Sequence, residues 1–254
     1  MVGRYQNTCQ IFSPIEIASL KRGGAILHDC LQYVAALVRP GITTIELDRA
    51  AEAFIRGRGA EPAFKGYHGY PAALCTSIND VCVHGMPKAE VLNNGDIIAL
   101  DCGVLLDHLY TDACITVPVG EISREAQLLL DATEEALTMG MAEIHAGVHT
   151  GDISHAIHSS LKKRGCDAMR QLTGHGLGLT LHQFPEIPNV GKKGSGSLLP
   201  LHTIIAIEPI STLGSTTVRE DADGWTLRTS DGALSAHFEH TVLVLEEDCA
   251  ILTS

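Results

Sequence analysis

The chain has 254 residues, of which 45% are hydrophobic and 19% are charged, and its formal net charge is −12. A chain of this length can bury a sizeable core, either as one large domain or as two fused halves, and its composition is ordinary for a globular protein. The acidic balance argues against a general nucleic-acid binder, because contact with phosphates needs a basic surface.

The eight cysteines are scattered through apolar runs and form no CxxC pair. This usage is typical of buried free thiols in a reducing cytosol, and not of a disulfide framework or a zinc cluster. The first residues, MVGRYQNTCQIFSP, contain no apolar signal core, and no apolar run is long enough to span a membrane. We therefore expect a cytoplasmic protein with neither a direct nucleic-acid function nor a membrane association.

Two helices are predicted near the start of the chain. Residues 13–16, SPIE, combine an N-cap serine, a proline at the first helical position and a glutamate that can close a capping box. This helix is predicted to run to about Leu37. Residues 43–46, TTIE, begin a second helix, which Gly57 and Gly59 end.

The stretch 96–117, DIIALDCGVLLDHLYTDACITV, predicts a hairpin, because two apolar, β-branched runs flank a short polar break. A turn centred between Leu106 and Asp107 would make Asp101 and Asp112 a facing pair, with Cβ atoms roughly 5 Å apart, where like charges repel. A cation would reverse this penalty, since hard divalent ions bind carboxylate oxygens. The alternative is a different register, with one aspartate in the turn.

The second half begins with another pair of helices. Ser123 is the predicted N-cap of a long amphipathic helix, and a further helix is expected over about 152–163, ending at Gly165. A loop rich in glycine and histidine is predicted at 174–176. Further strands are expected to continue as far as Leu252.

This second half repeats the first at nearly constant spacing. Apolar and glycine positions in 41–59 match positions in 147–165 at an offset of 106. Residues 97–101, IIALD, match residues 204–208, IIAIE, at an offset of 107, and one His-Gly pair matches at the same offset. Three matches in register are unlikely to arise by chance, so the repeat predicts two related halves.

We expect these halves, about 12–120 and 121–254, to be α+β units related by a pseudo-two-fold axis. Their sheets should join into one curved antiparallel surface with the helices on its outer face. The axis would bring Asp101 close to Glu208, its repeat equivalent, so that both acids face one cleft.

Five side chains emerge as candidates for metal binding. Glu208 ends an apolar strand, and Pro209 after it stops pairing. Glu239 lies in a period-two strand predicted over 236–245, on the same face as His237, where a carboxylate should not be buried without a partner. Four carboxylates and one imidazole suit a pair of Mn, Co, Fe or Zn ions, which can activate water and polarise a carbonyl. The candidates are Asp101, Asp112, His175, Glu208 and Glu239.

These motifs, taken together, resemble the type I methionine aminopeptidases, in their short bacterial form, of the pita-bread metallopeptidase fold. The motifs follow the family's order and spacing and span nearly the whole chain. No single one is specific, but the combination is. The segments that carry the resemblance are GYHGYPAALCTSINDVCVHGMP (66–87), NNGDIIALDCGVLLDHLYTDACITVPVG (93–120), TGHGLGLTLHQFPEIPN (173–189), IIAIEPI (204–210) and WTLRTSDGALSAHFEHTVLV (225–244).

The resemblance implies that the five candidates ligate two divalent metal ions, with Asp112 and Glu239 bridging. It also makes Glu208 the proton acceptor for the attacking water. His182 would donate to the oxygen of the tetrahedral intermediate, and His84 would contact the scissile amide. Without the resemblance, both histidines would be read as loop residues bonded to backbone.

The resemblance further implies a methionine pocket, since aromatic edges and sulfur pack well on a thioether. Composition alone would favour simple loop packing for Tyr67 and Tyr70. Three further positions match those that hold a monovalent cation in some family members, namely Asn79, Val81 and Ser235. The implied substrate-binding residues are Tyr67, His68, Tyr70, Cys75, His84, His182 and Trp225.

Four residues depart from the family pattern without removing a ligand. Phe64 stands where many relatives have a pocket cysteine, and Leu181 stands where phenylalanine is frequent. Gln183 replaces a usual glutamate, and Thr111 replaces a usual glycine before Asp112. These changes are expected to alter affinity, rate and metal preference more than the reaction itself.

The resemblance implies a single catalytic domain, 1–254, that removes the initiator methionine from new proteins when the second residue is small. Its partners would be the N-terminal methionine of peptides and nascent chains, with transient ribosome association, and it would act as a monomer. One alternative is a proline-directed aminopeptidase or dipeptidase of the same fold. The other is a non-catalytic module that binds peptide or RNA, which would be expected to have lost ligands.

Overall fold

A computed structural model of the protein describes residues 8–254. Residues 1–7 lie outside the described residues. They are the first part of the predicted domain and of the N-terminal segment in which the sequence shows no apolar signal core. Four α-helices lie in the described part of the chain. They are α1 (Pro14–Ala35), α2 (Thr44–Gly57), α3 (Arg124–Met141) and α4 (Thr150–Lys163).

The helix starts follow the capping signals of the sequence. At the start of α1, the backbone N–H of Ser13 donates to the Glu16 carboxylate at 2.7 Å, which confirms the predicted capping box. The hydroxyl of Ser123 accepts from the backbone N–H of Ala126 at 3.0 Å at the start of α3. Helix α1 ends two residues before Leu37 because the N–H of Leu37 donates to the carbonyl of Val34, three residues back, and so leaves the four-residue pattern of the α-helix.

The strands are short apart from those of the central hairpin. Each of the two larger sheets follows a pair of helices in the chain. In the described residues the strands are β1 (Glu61–Pro62), β2 (Leu74–Ile78), β3 (Val81–Val83), β4 (Ile97–Leu106), β5 (Leu109–Pro118), β6 (Asp167–Ala168), β7 (Thr173–Gly176), β8 (Gln183–Pro188), β9 (Ile204–Ile207), β10 (Ile210–Thr212), β11 (Val218–Glu220), β12 (Leu227–Thr229), β13 (Ser235–His237), β14 (His240–Val244) and β15 (Cys249–Ile251).

The first sheet is antiparallel and centres on β4, which pairs with β1, β2 and β5. The predicted β4–β5 hairpin is confirmed, but its predicted register is wrong. Asp107 and His108 form the two-residue turn with φ of +50° and +65°, a left-handed pair typical of tight hairpins. Asp101 therefore lies opposite Cys114 and not opposite Asp112.

The second large sheet has five strands in the order β15-β14-β9-β7-β8. Its strand β7 contains residues 174–176, so the loop predicted there is wrong. Gly174 and Gly176 allow this pairing, because a Cβ at either position would lie within 2.4 Å of a backbone oxygen of a neighbouring strand. Two three-stranded sheets complete the β structure, β13-β10-β6 and β11-β12-β3.

The continuous strand predicted over 236–245 is also wrong, because it breaks between β13 and β14. At the break, the N–H of Glu239 donates to the carbonyl of Cys114 at 2.9 Å, and the N–H of Cys114 donates to the carbonyl of Glu239 at 3.3 Å. This bridge ties the hairpin to the second large sheet. Glu239 thus lies where the two sheets meet.

The apolar core lies between the helices and the sheets. Alternate residues of β4, from Ile98 to Val104, pack with buried residues of α1 and α2, and Ile205 and Ile207 of β9 pack with α3 and α4. Since side chains alternate along a strand, Asp101 points to the opposite face. The observed architecture is α+β with the helices on the outer face, as predicted.

All eight cysteines are free thiols, which agrees with the prediction that they form no disulfide framework. Within residues 8–254, none of the helices has the length and apolar character needed to cross a bilayer.

Candidate active site

One cavity of about 360 Å³ gathers every residue predicted to bind the divalent metal ions, to act in catalysis or to contact substrate. It opens between the hairpin, the second large sheet and the loops that precede β2 and β12. Its wall also contains residues that were not predicted as site residues, namely Phe64, Val83, Leu181 and His237.

The hairpin supplies the two aspartates. Asp101 pairs with Cys114 and Asp112 pairs with Gly103, so the two carboxylates are diagonal neighbours on one face, and both are buried. The Thr241 side chain fixes the backbone of Asp112, because its hydroxyl accepts from the Asp112 N–H at 2.9 Å and donates to the Asp112 carbonyl at 2.7 Å. The position of Asp112 is therefore set by both sheets.

The second sheet supplies His175 and Glu208. Nδ1 of His175 lies 3.0 Å from the carbonyl of Gly176, which favours a proton on Nδ1 and leaves the lone pair of Nε2 available. That Nε2 lies 3.5 Å from Oε1 of Glu208, whose backbone carbonyl accepts from the Asn189 side chain at 2.9 Å. Burial, with His182 adding to it, lowers the pKa of His175 to about 3, so the ring is neutral and can ligate.

A cation fits this cluster. Ligand atoms of Asp112, His175 and Glu239 all lie within 4.8 Å of one another. Buried oxygens of Asp101, Asp112 and Glu239 have no hydrogen-bond partner among the described residues. Burial raises the pKa of Asp101 to about 7, and burial with mutual repulsion raises the pKa of Asp112 and of Glu239 well above the usual range. Positive charge at the centre would remove this penalty.

Two histidines stand between this cluster and the cavity mouth. Nδ1 of His182 lies 3.0 Å from the Tyr67 hydroxyl, and its ring lies 4.3 Å from that of His175. His84 follows β3 and has a φ of +57°, an unfavourable backbone conformation of a kind that clusters at functional sites. Desolvation lowers the pKa of both rings, for His182 with help from His84 and His68, so both are neutral near pH 7.

The outer wall of the cavity is aromatic and sulfur-lined. Tyr70 and Trp225 meet edge to face at 5.1 Å, and Cys75 is buried beside them. The Trp225 loop is held by Asp223, whose carboxylate accepts from the N–H groups of Trp225 and Thr226 at 3.0 and 2.9 Å. His68 lies on the short 3₁₀ turn Tyr67–Gly69, at the exposed edge of the cavity.

Phe64 fills the wall beside the hairpin. A Cβ at Gly103 would lie 2.8 Å from the Phe64 ring, so the ring occupies space that only a glycine on β4 leaves open. The side chain at this departure from the family pattern is therefore an aromatic part of the cavity lining. Leu181, another departure from the family pattern, is buried in the same wall.

The other two departures act outside the cavity. Thr111 points away from the metal ligands, since its neighbour Asp112 takes the other face of β5, and it packs against Gly23 of α1. The side-chain oxygen of Gln183 accepts from the N–H groups of Leu179 and Thr180, each at 3.2 Å. Gln183 thus holds the loop that carries His182.

The three residues expected near a monovalent cation lie outside this cavity. The carbonyl of Asn79 accepts from the N–H of Ser235 at 2.8 Å, and Val81 follows two residues later on β3. The Ser235 hydroxyl donates to the carbonyl of Ser211 at 3.1 Å.

The sequence reasoning missed His237 as a member of the site. Its ring is buried at the end of β13, and Nε2 lies 3.7 Å from Oε2 of Glu208 and 3.7 Å from Oε2 of Glu239. Burial, with His84 adding to it, lowers the pKa of His237 to about 3, so the ring is neutral. The period-two alternation that places His237 on the face of Glu239 was the signal that could have identified it.

Comparisons with known proteins agree with this geometry. The model of metallopeptidase family M24 matches residues 18–246. A methionine aminopeptidase of Clostridium perfringens is 44% identical over 238 residues, which are 94% of this chain and 96% of that protein.

Solved structures give the same result. A methionine aminopeptidase from Thermotoga maritima superposes with a TM-score of 0.96 at 37% identity, covering 97% of this chain and 100% of that one. A prolidase from Pyrococcus furiosus, at 20% identity and a TM-score of 0.79, shares the fold alone, and the match covers 96% of this chain and 65% of the prolidase. The chain therefore has the pita-bread fold and belongs to metallopeptidase family M24, among its methionine aminopeptidases.

Proposed function

We propose that this chain is a metal-dependent aminopeptidase that removes the N-terminal methionine from peptides and nascent proteins whose second residue is small. The observation that carries the proposal is a buried cluster of carboxylates with unpartnered oxygens, at the base of an aromatic, sulfur-lined cavity. The cluster suits a cation and the wall suits a flexible thioether.

The proposed ligands would hold two divalent ions, and Asp112 and Glu239 would serve both of them. When bound, such ions lower the pKa of a water molecule and polarise a carbonyl. Co, Mn, Fe and Zn all accept this donor set. The ligands are Asp101, Asp112, His175, Glu208 and Glu239.

Three side chains of the cavity carry the proton transfers and contacts with the peptide. Glu208, whose pKa burial raises well above its usual range, accepts the proton of the attacking water. His182 donates from Nε2 to the developing oxyanion, since its Nδ1 is engaged by Tyr67. His84 contacts the scissile amide and steadies the leaving nitrogen.

The methionine side chain lies against Tyr67, Tyr70, Cys75 and Trp225, with His68 at the edge of the cavity. Phe64 also lines this cavity, and its ring takes up space beside Gly103. A single copy of the chain supplies the ligands and the pocket, and we propose that residues 1–254 act as one catalytic domain and as a monomer. The eight free thiols suit a reducing compartment, and we place the chain in the cytoplasm. Transient association with the ribosome is part of the same proposal.

One further assignment comes from the resemblance, and two alternatives are not favoured. A monovalent cation near Asn79, Val81 and Ser235 would use backbone oxygens, of which the Asn79 carbonyl already accepts one hydrogen bond and retains a second lone pair. A proline-directed activity is not favoured, because the prolidase shares only the fold at 20% identity. A non-catalytic module is not favoured either, because every proposed ligand is present.

The test is release of the first residue from matched peptides. The protein is stripped of metal and then assayed on Met-Ala-Ser, Met-Lys-Ser and Ala-Pro peptides with Co, Mn, Fe or Zn added in turn. We expect methionine release from Met-Ala-Ser with at least one metal, and little from Met-Lys-Ser. Release of no methionine with any metal would overturn the proposal, and cleavage of Ala-Pro in its place would establish the alternative.

A further inference from the structure

His237 lies against the proposed metal ligands but is not one of them. Its ring is 2% exposed, and Nε2 is placed symmetrically, 3.7 Å from one carboxylate oxygen of Glu208 and 3.7 Å from one of Glu239. Neither ring nitrogen has a hydrogen-bond partner within residues 8–254. A buried imidazole with two unpartnered nitrogens calls for a functional explanation.

The backbone of His237 is fixed from two sides. Its N–H donates to the Thr116 hydroxyl at 3.0 Å, and that hydroxyl donates back to the His237 carbonyl at 2.6 Å. In addition, β13 pairs residue by residue with β10, which places His237 opposite Ile210. The ring is therefore held at this spot by the sheet, independently of any bond made by its own nitrogens.

The two glutamates present their oxygens unequally. Oε1 of Glu208 faces His175 at 3.5 Å, whereas Oε2 faces His237. Glu239 has Oε2 toward His237, and its buried Oε1 has no partner among the described residues. Each carboxylate thus turns one oxygen to His237, and the other oxygen of Glu208 faces His175.

We propose that His237 is a positioning residue for the metal centre, whose Nε2–H donates to Glu208 and Glu239 and so orients the oxygens that face the ions. A movement of less than about 1 Å by either carboxylate brings its oxygen to hydrogen-bond length. Two carboxylates facing Nε2 favour the tautomer that carries the proton there. The role rests on the ligand set proposed above.

The test is the affinity of the metal-stripped full-length chain for Mn²⁺, measured by calorimetry. His237→Leu keeps similar bulk and removes the donor, and we expect Mn²⁺ binding to weaken about 10- to 100-fold, as for other groups that orient metal ligands. His237→Gln restores an N–H donor and should return the affinity to within about three-fold of the original. His240→Leu is the matched control, because His240 lies just past Glu239 but bonds to Thr253 at 2.9 Å, and its Mn²⁺ affinity should not change.

The melting temperature of each metal-stripped variant separates this role from a merely structural one. His237→Leu should melt no lower than the unaltered chain, because it removes an unpartnered buried polar group. Unchanged Mn²⁺ affinity in His237→Leu would overturn the role of His237 and leave the ligand set standing. Failure of the unaltered chain to bind Mn²⁺ would overturn the ligand set itself, and with it this role.

A second measurement needs no substitution. In the Mn-free, Zn-loaded protein, the ¹⁵N shifts of the His237 ring should report a protonated Nε2 and an unprotonated Nδ1. An Nε2 without a proton would overturn the proposal, because the nitrogen would then be an acceptor or a direct ligand. This readout stands even if the leucine variant does not fold.

Discussion

His182 and Tyr67 are joined by a hydrogen bond of 3.0 Å between Nδ1 of the imidazole and the phenolic oxygen, across 115 residues of sequence. A hydroxyl that donates to Nδ1 places the imidazole proton on Nε2. Since the ring is neutral near pH 7, that N–H is the one proton it can offer to a substrate oxygen. Tyr67 therefore sets the tautomer of His182 in addition to lining the pocket.

Tyr67→Phe is expected to lower kcat and to leave the melting temperature within about a degree. The lost hydrogen bond contributes about 1 kcal/mol, which corresponds to a roughly five-fold lower rate. Steady-state kinetics on Met-Ala-Ser measure the effect. An unchanged kcat with a raised KM would instead assign Tyr67 to binding alone.

Glu208→Gln is expected to abolish turnover and to preserve the fold. The amide keeps the size of the carboxylate but cannot accept the proton of water, so kcat should fall by at least about 100-fold. Circular dichroism and melting curves check the fold. Residual activity near that of the unaltered chain would remove Glu208 from its role as base.

Trp225→Ala is expected to weaken the choice of methionine over leucine. The edge contact with Tyr70 closes the outer wall, and a change of this size in an apolar pocket alters discrimination by about 1–3 kcal/mol, or roughly 10- to 200-fold. The ratio of kcat/KM for Met-Ala-Ser and Leu-Ala-Ser measures it. Tyr33→Ala is the control, because Tyr33 stacks on Phe54 outside the cavity and its loss should not change the ratio.

Gln183→Ala is expected to lower kcat because it frees the loop that carries His182. Two backbone N–H groups would lose their acceptor, at about 1 kcal/mol each, and the rate should fall about three- to ten-fold. Gln183→Glu keeps an acceptor oxygen and should retain most of the rate. Equal rates for the alanine and glutamate variants would show that this loop needs no support from residue 183.

The metal-free protein is expected to lose stability as pH rises from 6.5 to 8. Burial raises the pKa of Asp101 to about 7, and burial with repulsion from neighbouring carboxylates raises the pKa of the other three carboxyls well above the usual range, against about 4 in the unfolded chain. The folded state then binds more protons than the unfolded state, so the free energy of unfolding falls with pH in this window. The buried histidines of the site oppose this near pH 6.5, where an unfolded imidazole is about half protonated, and the opposition fades toward pH 8.

Melting curves in EDTA between pH 6.5 and 8 measure this dependence. Mn²⁺ should raise the melting temperature more at pH 8 than at pH 6.5, because the ion replaces protons on the carboxylates. Asp101→Asn should flatten the profile in EDTA. A melting temperature in EDTA that rises through this window would contradict the assigned pKa directions.

Local signals in the sequence predicted the helix starts correctly, because capping depends on a few adjacent residues such as Ser13 and Glu16. The repeat and the motif order brought together residues that the structure places in one cavity. The predicted centre of the hairpin turn was wrong by one position. The turn lies at Asp107 and His108, which both take positive φ values, and nothing in the local sequence marks these two residues as the turn.

The break between β13 and β14 could not be predicted from alternation along 236–245. It arises from a long-range pairing of Glu239 with Cys114, which periodicity within one segment does not contain. Alternation does place His237 on the face of Glu239, but its proximity to Glu208, which follows β9, is a tertiary contact that alternation does not contain.

The bridge between Cys114 and Glu239 determines when the site can form during synthesis of the chain. Asp112 and Thr241, which bond to each other beside it, are 129 residues apart in sequence. During synthesis, the hairpin with its two aspartates leaves the ribosome long before β14 exists to complete the site. The proposed metal centre therefore cannot be completed until almost the whole chain has emerged.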